Sequence, residues 1–336
     1  MNVVKFETLT YNQQREKLDM LIQRACAAWG LAAASAELVS YTNNAVYRIQ
    51  TDNADLVLRV HRPGHKQPQW IASERQWLAF LAQDHTLNVP EPVADLYAGE
   101  LDGVDGPVYC DLLRWLVGTA LALDELTETQ IEAIGRFAAR LHALPFEPPA
   151  DFQRPALDWE GLFGEESPYH AGEGERLFTA EQRQVITEVT DVVRTAMDDL
   201  SKGDDVYGMI HADLLPKNVL FDDAGAMAVV DFDDCAWGYD LYDLAPMLWA
   251  SRHHARYADV QAALWTGYTS VRPQTRHFRE HLEAFVAARH VASCRWVAGN
   301  TGHPAIRGKA SQIIVERIEE MRVFLQTGTL SKQVAG

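Results

Sequence analysis

Three features of this 336-residue sequence predict an α+β fold in two parts, a small antiparallel-sheet lobe followed by a larger, mostly helical one. The stretch Glu37–Gln50 is rich in β-branched residues and alternates, and Leu56–Val60 continues it as a second strand. From about residue 124 onward apolar residues recur at helical spacing instead. Two short apolar runs, Tyr207–His211 and Ala226–Phe232, interrupt the helical part and predict one small hairpin. The length exceeds what one minimal core needs and suits two lobes, expected at 1–115 and 116–336 with a connector near 112–118.

Taken in order, residues 17–33 place Leu18, Leu21, Ile22, Ala25 and Trp29 at helical spacing. After the strand stretch, Thr51–Asp55 reads as a turn, and Pro63-Gly64 breaks the chain. A helix over 69–83 follows through Trp70, Ile71, Glu74, Trp77, Leu78 and Leu81, and Val89-Pro-Glu-Pro92 ends it in extended form. Short strands are expected around the Asp102-Gly103 and Asp105-Gly106 turns, ending in Pro107–Trp115. Asp124 and Thr127 are candidate caps for a helix through Ile131, Ile134, Phe137, Ala138 and Leu141 to His142. A proline-rich loop spans Pro145–Pro155, and helical spacing returns over 180–200. Asp222–Gly225 turns between the two hairpin strands, and 240–327 is mostly helix without internal repeats.

Bulk properties remove several classes. Hydrophobic residues make up 47% of the chain, ordinary for a globular protein and against disorder. A net charge of −17 argues against a broad nucleic-acid surface and is compatible with a cationic or amine-bearing ligand. Cys26, Cys110, Cys235 and Cys294 are scattered without a C-x-x-C pair, so reduced thiols are expected, not a zinc ribbon. Met1–Gln13 has no signal-peptide pattern, and no stretch has the ~20 apolar residues of a bilayer span. A soluble, cytoplasmic protein without membrane partners is the expectation.

The chemistry concentrates in His211-Ala-Asp-Leu-Leu-Pro-Lys-Asn218, which runs on to Phe221, and in Val229-Val-Asp-Phe-Asp-Asp234. Phosphoryl transfer from ATP needs metal ions on the phosphates, a carboxylate at the acceptor hydroxyl, and close positioning. Asp213 with Asn218 five residues later supplies a base and a metal ligand, and Asp231 at the end of the next strand completes a hard-oxygen set suited to Mg²⁺.

This H-x-D-x-x-x-x-N segment with the following Asp-Phe-Asp resembles the aminoglycoside phosphotransferase and choline kinase family, which shares the bilobal protein-kinase-like fold. Asp231-Phe-Asp-Asp-Cys235 and Gly238-Tyr-Asp-Leu-Tyr-Asp-Leu-Ala245 are similar to the branch of type II homoserine kinase, hydroxylysine kinase and the stress-response kinase. The resemblance implies Mg²⁺ and ATP, with Asp213 as catalytic base, His211 bracing its loop, Asn218 and Asp231 as metal ligands, and Asp243 holding the loop backbone. Asp233 is a further candidate ligand, and Asp234 a turn or helix cap. In the N-terminal half, Leu56–Pro63 resembles the strand whose basic residue, here Arg59, reaches the ATP phosphates, with Glu74 as its partner. Asn43 and Asn44 lie in the implied phosphate loop, and residues 113–116, including Leu113 and Trp115, in the implied adenine hinge. The resemblance covers roughly residues 35–250. Arg59 stands where protein kinases have Lys, and Asp233 replaces the Gly of D-F-G.

Other motifs carry less. His277-Phe-Arg-Glu-His281 spells an inverted zinc-peptidase motif, but no third ligand accompanies it. Gly302–Lys309 imitates a P-loop with one residue too many between its glycines and Ala310 in place of the Ser or Thr. The tryptophans are expected mainly in the core. The leading reading is a kinase acting on a hydroxyl of a small, amine-bearing metabolite. Alternatives are a protein Ser/Thr kinase, against which the missing Ala-Pro-Glu stop argues, an aminoglycoside phosphotransferase, and a non-catalytic nucleotide-binding regulator.

Overall fold

The computed structural model describes residues 6–31, 35–41, 44–64, 66–104, 106–273, 276–303 and 305–331. Asn43, Asp105 and Pro304 lie outside the described residues, as does the side chain of His277. The chain forms two compact units, Met1–Gly118 with Glu147–Gln153, and Thr119–Phe146 with Arg154–Gly336.

In the first unit α1 spans Tyr11–Ala28 and starts earlier than its apolar spacing suggests. Thr10 accepts the Gln13 amide while the Gln13 side chain accepts the Thr10 amide, a capping box that extends the helix over a polar turn. The strand-rich stretch divides into β1 (Ser35–Tyr41) and β2 (Ala45–Gln50), followed by β3 (Asp55–Val60). Helix α2 (Pro68–Leu81) opens on Pro68, which needs no amide partner in a first turn. Strands β4 (Tyr97–Glu100) and β5 (Pro107–Arg114) complete an antiparallel sheet in the order β1-β2-β3-β5-β4. One face of this sheet is apolar: Tyr47, Ile49, Leu58, Val60, Cys110 and Leu112 are buried together with Leu18, Leu21, Ile22 and Ala25 of α1. That alternation is why the β-branched pattern reads as strand.

The second unit begins with β6 (Thr119–Ala120) and α3 (Glu128–Ala143). Thr127 and Gln130 form the capping box of α3, whereas Asp124 instead bonds His254. Next come β7 (Ala156–Leu157), α4 (Trp159–Phe163) and α5 (Ala180–Leu200), the last capped by Thr179. Strands β8 (Tyr207–Ile210), β9 (Val219–Phe221), β10 (Met227–Val229) and β11 (Ala236–Tyr239) surround the motif region. The helices α6 (Asp240–Ser251), α7 (Tyr257–Thr269), α8 (Arg276–Glu280), α9 (Leu282–Gly299) and α10 (Ala310–Thr327) follow.

The expected hairpin is corrected in its partners. Met227–Val229 pairs with Val219–Phe221, and Tyr207–Ile210 pairs with Ala236–Tyr239. The Asp222 carboxylate accepts the amides of Ala224 and Ala226, and this tight turn selects the strand immediately before it. The Asp213 loop therefore links two small sheets and does not lie within one hairpin.

Helices α3 and α7 pack with unusually close backbones. A Cβ on Gly135 would meet the Leu264 carbonyl at 2.1 Å, and one on Gly267 would meet the Glu132 carbonyl at 2.0 Å. Helix α9 is buried on several sides, against α5, α6 and α10, and most of its residues are apolar. All four cysteines are buried.

Candidate active site

The loop after β8 is held by a helix-borne carboxylate. Asp243, in the first turn of α6, accepts the backbone amides of His211 (2.8 Å) and Ala212 (2.5 Å). Ala212 has φ of 68°, a left-handed conformation that costs energy for a residue with a Cβ, and the paired amides keep it there. Behind Asp243 stands His142 at the end of α3, 3.0 Å from Asp243 and 3.1 Å from the Tyr268 hydroxyl. Asp240 also faces this group, 3.1 Å from Arg272 and accepting the Tyr268 hydroxyl at 3.2 Å. The close α3–α7 packing thus bears directly on the loop.

His211 uses both ring nitrogens: Nε2 lies 3.1 Å from the Val230 carbonyl, and Nδ1 accepts the Asp213 amide at 3.2 Å. It links the Asp213 loop to the strand end that carries Asp231. Val230 donates to the Asn218 carbonyl at 2.9 Å, drawing the same two segments together. The Asn218 amide nitrogen donates to the Asp213 carbonyl (2.8 Å) and to its carboxylate (3.0 Å). These two bonds use the side-chain nitrogen of Asn218 and not its oxygen.

Asp213 is buried yet well provided with positive charge. Its Oδ1 accepts from Arg289 of α9, and Lys217 stands 3.8 Å from Oδ2. Burial alone would lower the Arg289 pKa, but Asp213, Tyr242, Tyr169 and Asp234 together outweigh it and hold the guanidinium firmly protonated.

Asp231 is treated differently. It sits in the left-handed region at φ 66°, which Asp tolerates better than most residues. Its side chain is reached by solvent although protein surrounds it closely. Burial first, then the carboxylates of Asp233, Asp234 and Asp213, push its pKa up to about 7, against a small opposing effect of Lys217. Asp233 is itself buried in the short helical turn Phe232–Asp234. Arg154 fixes that turn by donating to the carbonyls of Cys235 (2.5 Å) and Asp233 (2.8 Å).

Among the described residues no three His, Cys, Asp or Glu side chains converge into a complete metal cage. Asn218, Asp231 and Asp233 nevertheless supply hard oxygens, and burial, then the neighbouring carboxylates, disfavour the charged form of Asp231. That set fits a cation such as Mg²⁺, which takes few protein ligands and retains water or phosphate oxygens.

The first unit holds a separate charge cluster. Arg59 on β3, only 5% exposed, pairs with Glu74 of α2 at 2.8 Å and with Asp111 of β5 at 2.6 Å. His61 lies 3.4 Å from the same Asp111 carboxylate. Burial would raise the Asp111 pKa, but Arg59 and His61 outweigh it and hold the carboxyl well below the usual range. Asn44 is buried, and Leu113 is buried in β5. Trp115 follows directly, half-buried under the Arg48 guanidinium, which is 4.9 Å from its ring centre.

Sequence reasoning did not anticipate Asp111, Arg154 or Arg289. The last is 76 residues from Asp213, and no local spacing relates the two.

A strained loop bearing an Asp-Asn pair, beside an under-neutralised aspartate on a following strand end, defines a phosphotransferase of the kinase-like fold. The chain belongs to the phosphotransferase enzyme family, whose model matches residues 37–278. It superposes on the solved structure of a microcompartment-associated aminopropanol kinase with a TM-score of 0.78 and 26% identity, over 92% of this chain and 99% of the other. The homoserine kinase of Gluconobacter oxydans is 28% identical over 251 residues, 68% of this chain and 71% of that enzyme. A Synechocystis protein is 26% identical over 235 residues, 68% of this chain but just 63% of its own length. The chain is thus related to small-metabolite kinases. Among the described residues no helix is long and apolar enough to cross a membrane.

Proposed function

We propose that the protein transfers the γ-phosphoryl group of Mg-ATP to a hydroxyl of a small, amine-bearing metabolite. The observation that carries this is the pairing of Asp213, bonded by Arg289 and Asn218, with an Asp231 crowded by the carboxylates of Asp233 and Asp234. Asn218, Asp231 and Asp233 are the residues assigned to Mg²⁺, which when bound neutralises phosphate charge. Asp213 accepts the proton of the acceptor hydroxyl as that oxygen bonds to the γ-phosphorus. The bond from phosphorus to the bridging oxygen breaks with its electron pair leaving on ADP, and Asp213 later returns the proton to water. His211 and Asp243 act by fixing the loop, not by touching the reacting atoms. In the first unit, Arg59, gripped by Glu74 and Asp111, is assigned to the nucleotide phosphates, with Asn44 nearby in sequence, and Leu113 and Trp115 to the adenine edge. Asn43, assigned with Asn44, lies outside the described residues. We assign the two functional lobes as 1–115 and 116–336.

The amine preference is supported by the −17 net charge and by the relatives named for aminopropanol and homoserine, both hydroxyl-bearing amines. Coupled ADP release from Mg-ATP across amino alcohols, hydroxy amino acids, sugars, aminoglycosides and a generic protein tests the reading. Turnover with an amine-bearing acceptor is expected; turnover with the protein acceptor alone, or with none despite Mg-ATP binding, contradicts it.

A further inference from the structure

Around Trp249 of α6 the second unit gathers positive charge, against the acidic balance of the whole chain. The guanidinium carbons of Arg252, Arg317 and Arg289 lie 4.6, 5.1 and 6.0 Å from its ring centre. The indole is locked in place. Its Nε1 donates to His290 Nδ1 at 3.0 Å, and His290 Nε2 lies 3.0 Å from the Arg317 carbonyl, so the neutral ring that donates there fits both contacts. Burial keeps His290 in that neutral form by pushing its pKa down to about 3, against Glu320.

The charges do not balance. Arg252 is answered by Glu320 at 2.7 Å, and Arg289 by Asp213. Arg317 has no carboxylate within ion-pair distance among the described residues; its Nη1 bonds the Ser293 hydroxyl at 2.5 Å, and its Nε is buried without a hydrogen-bond partner. Burial and the neighbouring Arg252 push its pKa down to about 10, against Glu320. With Arg252 and Arg289 each paired, Arg317 is the cation of this group without an ion pair among the described residues. None of Trp249, Arg252, Arg289 and Arg317 is fully buried, so the group remains within reach of a solute. Arg289 ties it to the Asp213 carboxylate.

We propose that Trp249, Arg289 and Arg317 form the acceptor subsite for a carboxylate. This rests on the phosphoryl-transfer reading of Asp213 and narrows it. A single surplus positive charge matches a monoanion, whereas a phosphate dianion would overfill it beside Asp213 and Asp231. The acceptor is then a hydroxy amino acid, its amine drawn to the surrounding carboxylates and its carboxylate to the arginines. Arg289 serves as the positioning residue that joins acceptor recognition to the base.

Matched pairs that differ only in the carboxylate test this: homoserine with 3-aminopropan-1-ol, threonine with 1-aminopropan-2-ol, and serine with ethanolamine. For at least one pair the wild type is expected to favour the acid by about ten-fold or more in kcat/KM, the worth of a charge-assisted contact. Arg317→Gln should collapse that ratio toward unity through KM of the acid, and Arg317→Lys should retain most of it. The lysine variant separates lost recognition from lost folding. Preference for the amino alcohol, or a ratio unmoved by Arg317→Gln, overturns the subsite while leaving phosphoryl transfer intact. Calorimetric binding of the acids gives a readout without turnover. Acid binding that weakens in Arg317→Gln, with no phosphorylation of any acceptor, upholds the subsite and sinks the reaction. Binding of neither acid nor amino alcohol overturns the subsite.

Discussion

The two charge clusters of this molecule contrast in how they are closed. In the first unit Arg59 is clamped by Glu74 and Asp111 inside the protein, and its charge is met on both sides. In the second, Asp231, Asp233 and Asp234 crowd together, and burial, then these carboxylate neighbours, push Asp231 toward neutrality. A closed cluster orients a cation; an open one is built to receive one. The same residue types, Asp and Arg, serve opposite purposes because of what the neighbouring strands bring beside them.

The largest effect should come from the open site. Asp213→Ala is expected to lower turnover by about 10²–10⁴-fold, the range of general-base removal, while ATP binding measured by calorimetry persists. Equal loss of nucleotide binding would mean that Asp213 holds the fold and not the reaction.

Stability should be lost on breaking the closed cluster. Arg59→Met leaves two buried carboxylates without their cation and should cost about 3–5 kcal/mol in urea unfolding. The pH dependence has a definite sign. Asp111 is held below its unfolded value, so its contribution is present above about pH 4 and lost as pH falls through the depressed folded value. Arg59→Met should flatten that acid-side loss. Gly135→Ala should cost about 1–3 kcal/mol, because the Leu264 carbonyl cannot retreat without parting α3 from α7. With His142 on the same helix, turnover should fall as well.

The smallest effect has the opposite sign. Asp231 is raised above its unfolded value, so without divalent cations stability is greatest in acid and declines as pH rises through about 7. Asp231→Asn should therefore raise the melting temperature at pH 8 by about 2–4 °C, a modest gain because water screens the exposed carboxylate. A melting temperature that falls would show that Asp231 is already compensated, and the contrast between the clusters would fail.

The sequence makes some of this legible and hides the rest for physical reasons. His211, Asp213 and Asn218 share one loop, so their spacing reports a local geometry. The Thr127 cap and the α3 periodicity are likewise local, and α3 begins at Glu128 as that cap implies. Long-range partners leave no such trace. Arg289 looks like any arginine on a helix until α9 packs against α6, and Asp111 looks like an interruption in an apolar strand until Arg59 lies opposite it in register. Short apolar runs do not name their partners, so the expected hairpin joins strands that the structure pairs elsewhere. The decisive signal was Asp222, whose side chain closes the turn onto the nearer strand.

The central claim is that a phosphoryl group moves from ATP to a hydroxyl oxygen under the control of Asp213. Phosphorus NMR of a reaction with Mg-ATP and the acceptor chosen by the ADP assay tests it most directly. A new phosphomonoester resonance, growing with ADP in the wild type and absent with Asp213→Ala, is the predicted result. ADP formed with free phosphate alone, or a phosphoryl group found on the acceptor's amine, would contradict it.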